Sequence, residues 1–210
     1  MINAKVENGN DYNSVVDTVR WLNYYEDYGF VALASVPYTN GGFTLTLPDV
    51  VEDKYLSTVL DIQLEGITIS NRQAKGIDLT LAAFKSGDLR GYFYYGKNLD
   101  GLSYIPPISA EFSYWDSDLT IKGTGTISII GYYTYTATYD VTLKKGWNII
   151  YGLPDSSGAN HITYTTATQI GLKWYCNAPT TVEPVVPAPP QPSSRLFKAG
   201  MAPSAPLSAL

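Results

Sequence analysis

The side chains that most often perform catalysis are scarce in this chain. It contains one histidine, His161, and one cysteine, Cys176. A zinc site with His and Cys ligands would therefore need several carboxylates, and the only thiol–imidazole dyad would join these two residues. His161 follows a turn rich in Ser, Gly and Asn, so we expect an exposed loop or strand-edge side chain. Cys176 lies in an apolar run, where a small buried hydrophobe is expected.

Three carboxylates near Trp115 offer another route to catalysis. Glu111 precedes this tryptophan, and Asp116 and Asp118 follow it. A glycosidase needs two acids about 5–10 Å apart across a sugar bond. Acids are also common at strand ends, where they protect sheet edges, and we favour that role. A carboxylate-based glycoside-active enzyme is kept as the third-ranked function.

No metal site, cofactor or enzyme activity is predicted. Asn98 with Asp100, or Asp116 with Asp118, places hard oxygen ligands in loops, but neither set follows the calcium-loop pattern with its distal Glu. No Gly-rich loop leads into a helix that would cradle phosphate, and no Gly-x-Ser-x-Gly elbow marks a nucleophile. Ordinary turns are expected at these positions.

Aromatic side chains are in surplus and favour binding over catalysis. The chain has 18 tyrosines, and 13% of its residues are aromatic. Adjacent strand residues point to opposite faces, so pairs such as Tyr94-Tyr95 must direct one ring outward. Exposed tyrosines supply rigid contact area for sugars, peptides or another subunit. The predicted ligand-binding residues are Tyr92, Tyr94, Tyr95, Tyr104, Tyr114, Trp115, Tyr132 and Tyr133. The alternative is that these rings line sheet edges or lie under loops.

The elements that position these rings are predicted to be strands. Between Tyr133 and Leu143 apolar and polar residues alternate, which indicates a strand with one buried and one wet face. Turn residues such as Asn40-Gly41-Gly42 recur at the roughly 8–12 residue spacing of an all-β domain. We predict an all-β fold, an antiparallel β-sandwich, with a closed β-barrel as the alternative.

Twelve strands are predicted, near residues 3–7, 30–37, 43–47, 66–70, 77–84, 91–95, 110–114, 119–130, 132–143, 147–152, 161–165 and 170–175. Residues 48–60 are predicted to hold one helical turn. Residues 15–25 fit a helix and a strand about equally, because Val15, Val16, Val19 and Leu22 have helical spacing but the segment is rich in β-branched residues.

A composition change marks the domain boundary near Asn177. Eight of the 13 prolines lie in residues 178–210, and such a run favours extended polyproline II over packed structure. We predict an all-β domain over residues 1–177 and a flexible, disordered Pro-rich tail over residues 178–210. A short docking peptide in the tail is the alternative.

Charge and hydropathy limit the partners. The net charge is −5 and the longest basic run is Lys144-Lys145, which disfavours nucleic acid and a polybasic membrane anchor. No window approaches the roughly 18 apolar residues of a membrane span, and the first twenty residues lack a signal-peptide core. We therefore expect no nucleic-acid partner and no transmembrane segment, and the oligomeric state stays open.

Four segments together resemble the small, uncharacterised β-rich surface lipoproteins of gut Bacteroidetes. They are residues 38–48 (YTNGGFTLTLP), 54–56 (KYL), 143–152 (LKKGWNIIYG) and 171–175 (GLKWY). The resemblance covers roughly residues 1–177 in order. It implies a secreted or cell-surface location, with a leader missing from this chain, and carries no catalytic signature.

The sequence thus predicts a non-enzymatic cell-envelope or secreted module that binds a glycan or protein partner through tyrosine-rich strands and loops. A structural or assembly component, such as part of a fibre or surface layer, is the alternative.

Overall fold

The protein has an all-β fold in a computed structural model that describes residues 1–25, 29–59, 65–97, 108–129, 133–155 and 160–180, with the side chains of 127–129 and 133 excepted. Its strands are β1 (Ile2–Lys5), β2 (Thr18–Tyr25), β3 (Gly29–Pro37), β4 (Gly42–Leu45), β5 (Ser57–Thr58), β6 (Ile67–Ile69), β7 (Lys75–Asp78), β8 (Leu81–Lys85), β9 (Asp88–Lys97), β10 (Ile108–Trp115), β11 (Leu119–Ile129), β12 (Tyr133–Leu143), β13 (Gly146–Pro154), β14 (His161–Thr165) and β15 (Lys173–Cys176). Two 3₁₀ turns, Gly9–Tyr12 and Asp53–Tyr55, interrupt them.

Most described strands belong to one branched sheet. Its main path is β3-β2-β8-β9-β10-β13-β14-β12-β11-β6. β15 joins β9, β7 joins β10, and β5 joins β7. β1 and β4 form a separate antiparallel pair. The strand pairing is antiparallel except between β12 and β14. None of the described sheets closes into a barrel, so the predicted antiparallel sandwich is confirmed over the barrel alternative.

The first core lies between the β1–β4 pair and the N-terminal half of the large sheet. Phe43 of β4 makes edge contacts with Phe93 of β9 and Trp174 of β15, at ring-centroid distances of 5.0 Å and 5.6 Å. Trp21 of β2 and Tyr114 of β10 complete this layer, and both contact the ring of Trp147. The contacts show two sheets packed face to face.

A second core fills the curved C-terminal half of the sheet. It contains Trp115 and Ile150, together with the alternating residues Ala137, Tyr139 and Val141 of β12. Apolar and polar residues alternate along β12 for the predicted reason: the apolar residues face this core, while Thr138 and Asp140 point away from it. β10 lies between the two cores.

The structure decides the secondary structure of the two segments for which a helix was predicted or left open. Residues 18–25 form strand β2, so the strand alternative is correct and the helix alternative is wrong. The predicted helical turn within residues 48–60 is the single 3₁₀ turn at Asp53–Tyr55. The predicted turn at Asn40-Gly41 is confirmed: both residues have positive φ, 53° and 76°, and Thr39 and Gly42 exchange backbone hydrogen bonds of 2.9 and 3.1 Å. The predicted hairpin is wrong, because the flanking strands β3 and β4 pair with β2 and β1 and belong to different sheets.

The described chain continues slightly past the predicted domain boundary. Ala178 is buried and packs against the first core. Residues 181–210, which hold most of the predicted tail, lie outside the described residues. In the described part of the chain, no helix has the length and hydropathy needed to cross a membrane.

Candidate ligand-binding face

Two of the predicted binding residues lie in the interior. Tyr114 and Trp115 are adjacent on β10 and point into the first and second cores respectively. Tyr114 is 2% exposed and Trp115 is fully buried. The expectation that these rings are exposed is therefore wrong, because β10 has protein on both faces instead of one wet face.

The other predicted binding residues fall into three groups. Tyr95 is half-buried and faces the first core, where its ring stacks on Trp174 at 5.0 Å. Tyr104 and Tyr132 lie outside the described residues, and Tyr133 begins β12 with its side chain outside the description. Tyr92 and Tyr94 lie on the face of β9 opposite to Tyr95, as the adjacency of Tyr94 and Tyr95 predicts.

The face that carries Tyr92 and Tyr94 extends across neighbouring strands. Ala82 of β8 is the cross-strand partner of Tyr92, and Tyr175 of β15 is the partner of Tyr94. Cross-strand partners lie on one face of a sheet with their Cβ atoms about 5 Å apart. The three tyrosines thus form a row on the side of the sheet that faces away from the first core.

Apolar residues of β2 and β8 continue this surface. Leu22, Ala82 and Phe84 form a small buried cluster, against which Tyr92 packs. The guanidinium of Arg20 lies 4.3 Å above the ring of Phe84, a cation–π contact that covers the ring. Val19 and Trp21 alternate with these β2 residues and face the first core. This half of the sheet is therefore apolar on both faces, unlike a sheet with one solvated face.

The surface ends in two exposed rings at the β2–β3 hairpin. Tyr24 and Phe30 are directly opposite each other in the strand register. Their ring centroids are 5.3 Å apart in an edge arrangement, and the residues are 52% and 56% exposed. We call the whole surface the tyrosine face; it comprises Arg20, Leu22, Tyr24, Phe30, Ala82, Phe84, Tyr92, Tyr94 and Tyr175.

Asn177 fixes the tyrosine row from the end of β15. Its side-chain Oδ1 accepts the backbone N–H of Tyr92 at 2.7 Å, and its Nδ2 donates to the hydroxyl of Tyr94 at 3.2 Å. A Cβ on Gly91 would lie 2.6 Å from the Asn177 Oδ1 and 2.7 Å from the nitrogen of Ala178. Glycine at position 91 therefore permits the close approach that places Asn177 beside the rings.

Tyr92 and Tyr94 are uncharged near neutral pH. Burial raises the pKa of Tyr92 above its ordinary value of 10.0, and burial also raises the pKa of Tyr94, with a smaller opposing effect from the hydrogen bond of Asn177. Both hydroxyls remain neutral phenols that donate and accept hydrogen bonds. The face offers flat rings and neutral polar groups, a combination suited to an uncharged ligand.

Glu111 does not lie beside the two aspartates. Glu111 and Asp116 are separated by five residues of extended chain, a distance of about 16 Å, beyond the roughly 5–10 Å that glycosidase pairs require. Asp116 accepts the backbone N–H of Lys75 at 2.9 Å. Asp118 binds the Lys144 ammonium at 2.9 Å, and this hydrogen bond, together with the Lys145 N–H, lowers its pKa. The two aspartates therefore serve local structure.

An open pocket of about 290 Å³ lies on the first-core side of the large sheet, since Val51 and Tyr114 of its lining belong to that core. Its lining includes Val50, Leu56 and Tyr114 and the acids Glu52, Asp53 and Asp116. Lys54 pairs with Glu52 at 2.8 Å, and Lys75 pairs with Asp53 at 2.7 Å. These ion pairs neutralise the rim, so the pocket has no strong charge preference.

His161 and Cys176 do not form a dyad. The Nε2 atom of His161 lies 2.9 Å from the Thr138 hydroxyl, and its Nδ1 atom lies 3.7 Å from a carboxylate oxygen of Asp155. His161 is half-buried at the start of β14, which is paired on both edges, so the expected loop or strand-edge position is wrong. Cys176 lies in the first core as predicted, and burial raises the pKa of its thiol to about 12.

Within the described ranges, no group of three or more His, Cys, Asp or Glu side chains is arranged to hold a metal ion. Comparisons of the chain with protein-family models, curated proteins and solved structures found no significant match. The tyrosine face is therefore the strongest candidate site on structural grounds.

Proposed function

We propose that this protein is a non-enzymatic cell-envelope or secreted module that binds a glycan through the tyrosine face. The observation that carries the proposal is the half-sheet with two apolar faces. One face covers the first core, while the other carries Tyr24, Phe30, Tyr92 and Tyr94 with no second sheet packed on it among the described strands. An apolar face of this kind is typical of a binding surface.

The chemistry of the face favours carbohydrate as the ligand. Pyranose rings have apolar C–H faces that pack on aromatic rings, and hydroxyls that pair with phenolic O–H and amide groups. Tyr92, Tyr94 and Asn177 place both kinds of group side by side. Arg20 is the one charged residue of the tyrosine face, and its guanidinium is held over Phe84, so most contacts of the face would be made with the uncharged groups of a glycan.

The test is a glycan array with the full chain, followed by calorimetric titration of the best ligand. We expect Tyr94→Ala to weaken binding by roughly 1–2 kcal/mol, or about 5–30-fold in Kd, because one ring's contact area is lost. Tyr94→Phe keeps the ring and loses the hydroxyl, so it should weaken binding less. The double variant Tyr24→Ala/Phe30→Ala tests whether the exposed end of the face takes part.

Val50→Ala is the matched control, because Val50 is 71% exposed and lines the open pocket instead of the tyrosine face. Circular dichroism should show every variant folded. A glycan that binds wild type, Tyr94→Ala and Tyr24→Ala/Phe30→Ala with equal affinity would place the site elsewhere, and no binding to any glycan would refute the proposal.

An assembly role is the second candidate function. The observation that favours it is the long edge of β3, which no other described strand covers and which adjoins the tyrosine face at Phe30.

A further inference from the structure

One long strand edge of the large sheet is uncovered. β3 has nine residues, and among the described strands it pairs with β2 alone. The other described strands at the ends of sheets and branches are much shorter: β1, β4 and β15 have four residues, β6 has three and β5 has two. Short strands are a common means by which proteins protect their sheet edges. β3 lacks this protection.

The sequence of β3 also lacks edge-protecting charge. It reads Gly-Phe-Val-Ala-Leu-Ala-Ser-Val-Pro, with no Lys, Arg, Asp or Glu, whereas β1 and β15 each carry a lysine. Both faces of β3 are apolar. Phe30, Ala32, Ser35 and Pro37 are exposed, and Leu33, Ala34 and Val36 are half-buried against the first core. An uncharged edge of this length is expected to pair with another strand.

The backbone groups that point to the free edge of β3 can be assigned from a hydrogen bond of β2. The N–H of Leu22 donates to the carbonyl of Thr80 beside β8 at 2.9 Å. Asp17, just before β2, is irregular: its carbonyl accepts the N–H of Tyr38 beside β3 and its N–H donates to Phe84 of β8, both at 2.9 Å. Successive residues of a strand direct these groups to opposite edges. Even-numbered residues of β2 therefore bond to β8, and odd-numbered residues bond to β3. The β3 partners of the even-numbered β2 residues direct their own N–H and C=O groups to the free edge. These partners are Phe30, Ala32, Ser35 and Pro37.

A β-bulge divides this set of residues. The register between β2 and β3 shifts at Trp21/Leu22, so Leu33 is an extra residue on β3. Phe30 and Ala32 before the bulge, and Ser35 and Pro37 after it, consequently lie on the same outer face and are the exposed residues of the strand.

We propose that β3 pairs antiparallel with β3 of a second copy of this chain, about a two-fold axis between Leu33 and Ala34. In this register Ala32 lies opposite Ser35 of the second copy, and Phe30 lies opposite Pro37. Outer-face residues meet outer-face residues at every step, and Val31 meets Val36 on the inner face. The pairing forms about six hydrogen bonds, because proline supplies a carbonyl but no N–H.

Self-pairing fits this edge because the bulge lies at the two-fold axis. Only with the bulge at this position do outer-face residues meet outer-face residues of the second copy. A shift of one residue in either direction would place outer-face side chains against inner-face ones. In the same register, the backbone groups that point to solvent in one copy lie opposite those of the second copy. The absence of charge from β3 also means that two copies of an acidic protein meet here without like charges in register. The edge is therefore self-complementary, as an isologous contact requires.

The test is sedimentation equilibrium of the full chain with charge variants at the paired positions. Wild type should dimerise with a Kd in the micromolar range, since an edge contact buries less than a standard interface of about 1,600 Å². Ala32→Asp/Ser35→Asp places carboxylates opposite each other and should give a monomer. Ala32→Asp/Ser35→Lys places each carboxylate opposite an ammonium of the second copy and should restore the dimer.

Thr126→Asp adds a charge at an exposed position of β11 and is the matched control, which should leave the dimer intact. Positions 32 and 35 are exposed, so the variants should fold, as far-ultraviolet circular dichroism will check. A monomeric wild type at millimolar concentration, or a dimer that persists in Ala32→Asp/Ser35→Asp, would overturn the proposal. Loss of the dimer in both double variants would refute the register.

Discussion

Removal of the Ser113 hydroxyl should destabilise the fold more than the size of the change suggests. Ser113 and Trp115 are both fully buried on β10. The Trp115 indole N–H donates to the Ser113 Oγ at 3.1 Å. Residues two apart on a strand share a face, so this bond lies within the second core. Ser113→Ala deprives a buried donor of this acceptor, and such a loss costs about 1–3 kcal/mol.

The expected loss of about 2 kcal/mol corresponds to a Tm lower by roughly 4–8 °C for a protein of this size. Urea unfolding is the assay, since a change in midpoint at constant m-value reports stability alone. Ser57→Ala is the control, because Ser57 is exposed on β5 and its loss should change the free energy of unfolding by less than about 0.5 kcal/mol.

A double-mutant cycle separates the hydrogen bond from packing effects. Trp115→Phe removes the donor and leaves a void, and Ser113→Ala/Trp115→Phe removes both partners. We expect a coupling energy of about 1 kcal/mol between the two positions. If Ser113→Ala is as stable as Ser57→Ala, or if the coupling is zero, the buried bond does not contribute as reasoned here.

Three further outcomes follow from burial and backbone geometry. Burial raises the pKa of Tyr25 to about 12, so between pH 10 and about 12 the unfolded chain loses a proton that the native state keeps. The free energy of unfolding should therefore fall as pH rises through this window, and this group should not affect it at lower pH. Urea titrations of the wild type against Tyr25→Phe measure this difference. The Cys176 thiol, with its raised pKa of about 12, should react with iodoacetamide at least about a hundredfold more slowly in native protein than in denaturant; equal rates by mass spectrometry would contradict its burial. Gly42→Ala should destabilise by about 3 kcal/mol or more, because its Cβ would overlap the Ala4 carbonyl, whereas Gly87→Ala, in open space at φ +94°, should cost about 1–2 kcal/mol in thermal melts.

Strand positions were predictable wherever one face is wet. Residues 161–165 were predicted to be a strand and form β14 with the same ends, and β12 differs by one residue. The predicted strand over 77–84 is instead divided between β7 and β8. The parallel pairing of β12 with β14 leaves no local pattern, because it depends on which strands the rest of the chain brings together.

Two other predictions failed in strands that are covered on both faces. The helical spacing of Val19 and Leu22 arises because Val19 faces the first core and Leu22 faces the cluster of the tyrosine face. The same cause makes Tyr114 and Trp115 interior residues. In a strand that is buried on both faces, consecutive residues are apolar and the sequence shows no alternation. The sequence therefore cannot tell whether an extra aromatic ring is exposed for binding or packs into a second core.

The candidate site was predicted in part. Tyr92 and Tyr94 were assigned to binding, and the structure places them together with Tyr175 on one face. Tyr24, Phe30 and Tyr175 were not included. The adjacency rule used for Tyr94-Tyr95 would have found Tyr24-Tyr25 and Trp174-Tyr175, because each pair must also divide between two faces.

The two ends of the described domain meet in the first core, and this has a consequence for synthesis on the ribosome. The N–H of Glu7, just after β1, donates to the carbonyl of Trp174 at 2.7 Å, and the Tyr12 hydroxyl donates to the carbonyl of Cys176 at 2.9 Å. The second core uses residues between Val59 and Tyr164. At about 5–20 residues per second, the N-terminal strands wait on the order of ten to thirty seconds for their last partner. The part of the protein made first is therefore completed last. A ribosome stalled between residues 165 and 172 would display an unfinished N-terminal layer beside a second core whose residues have all been made.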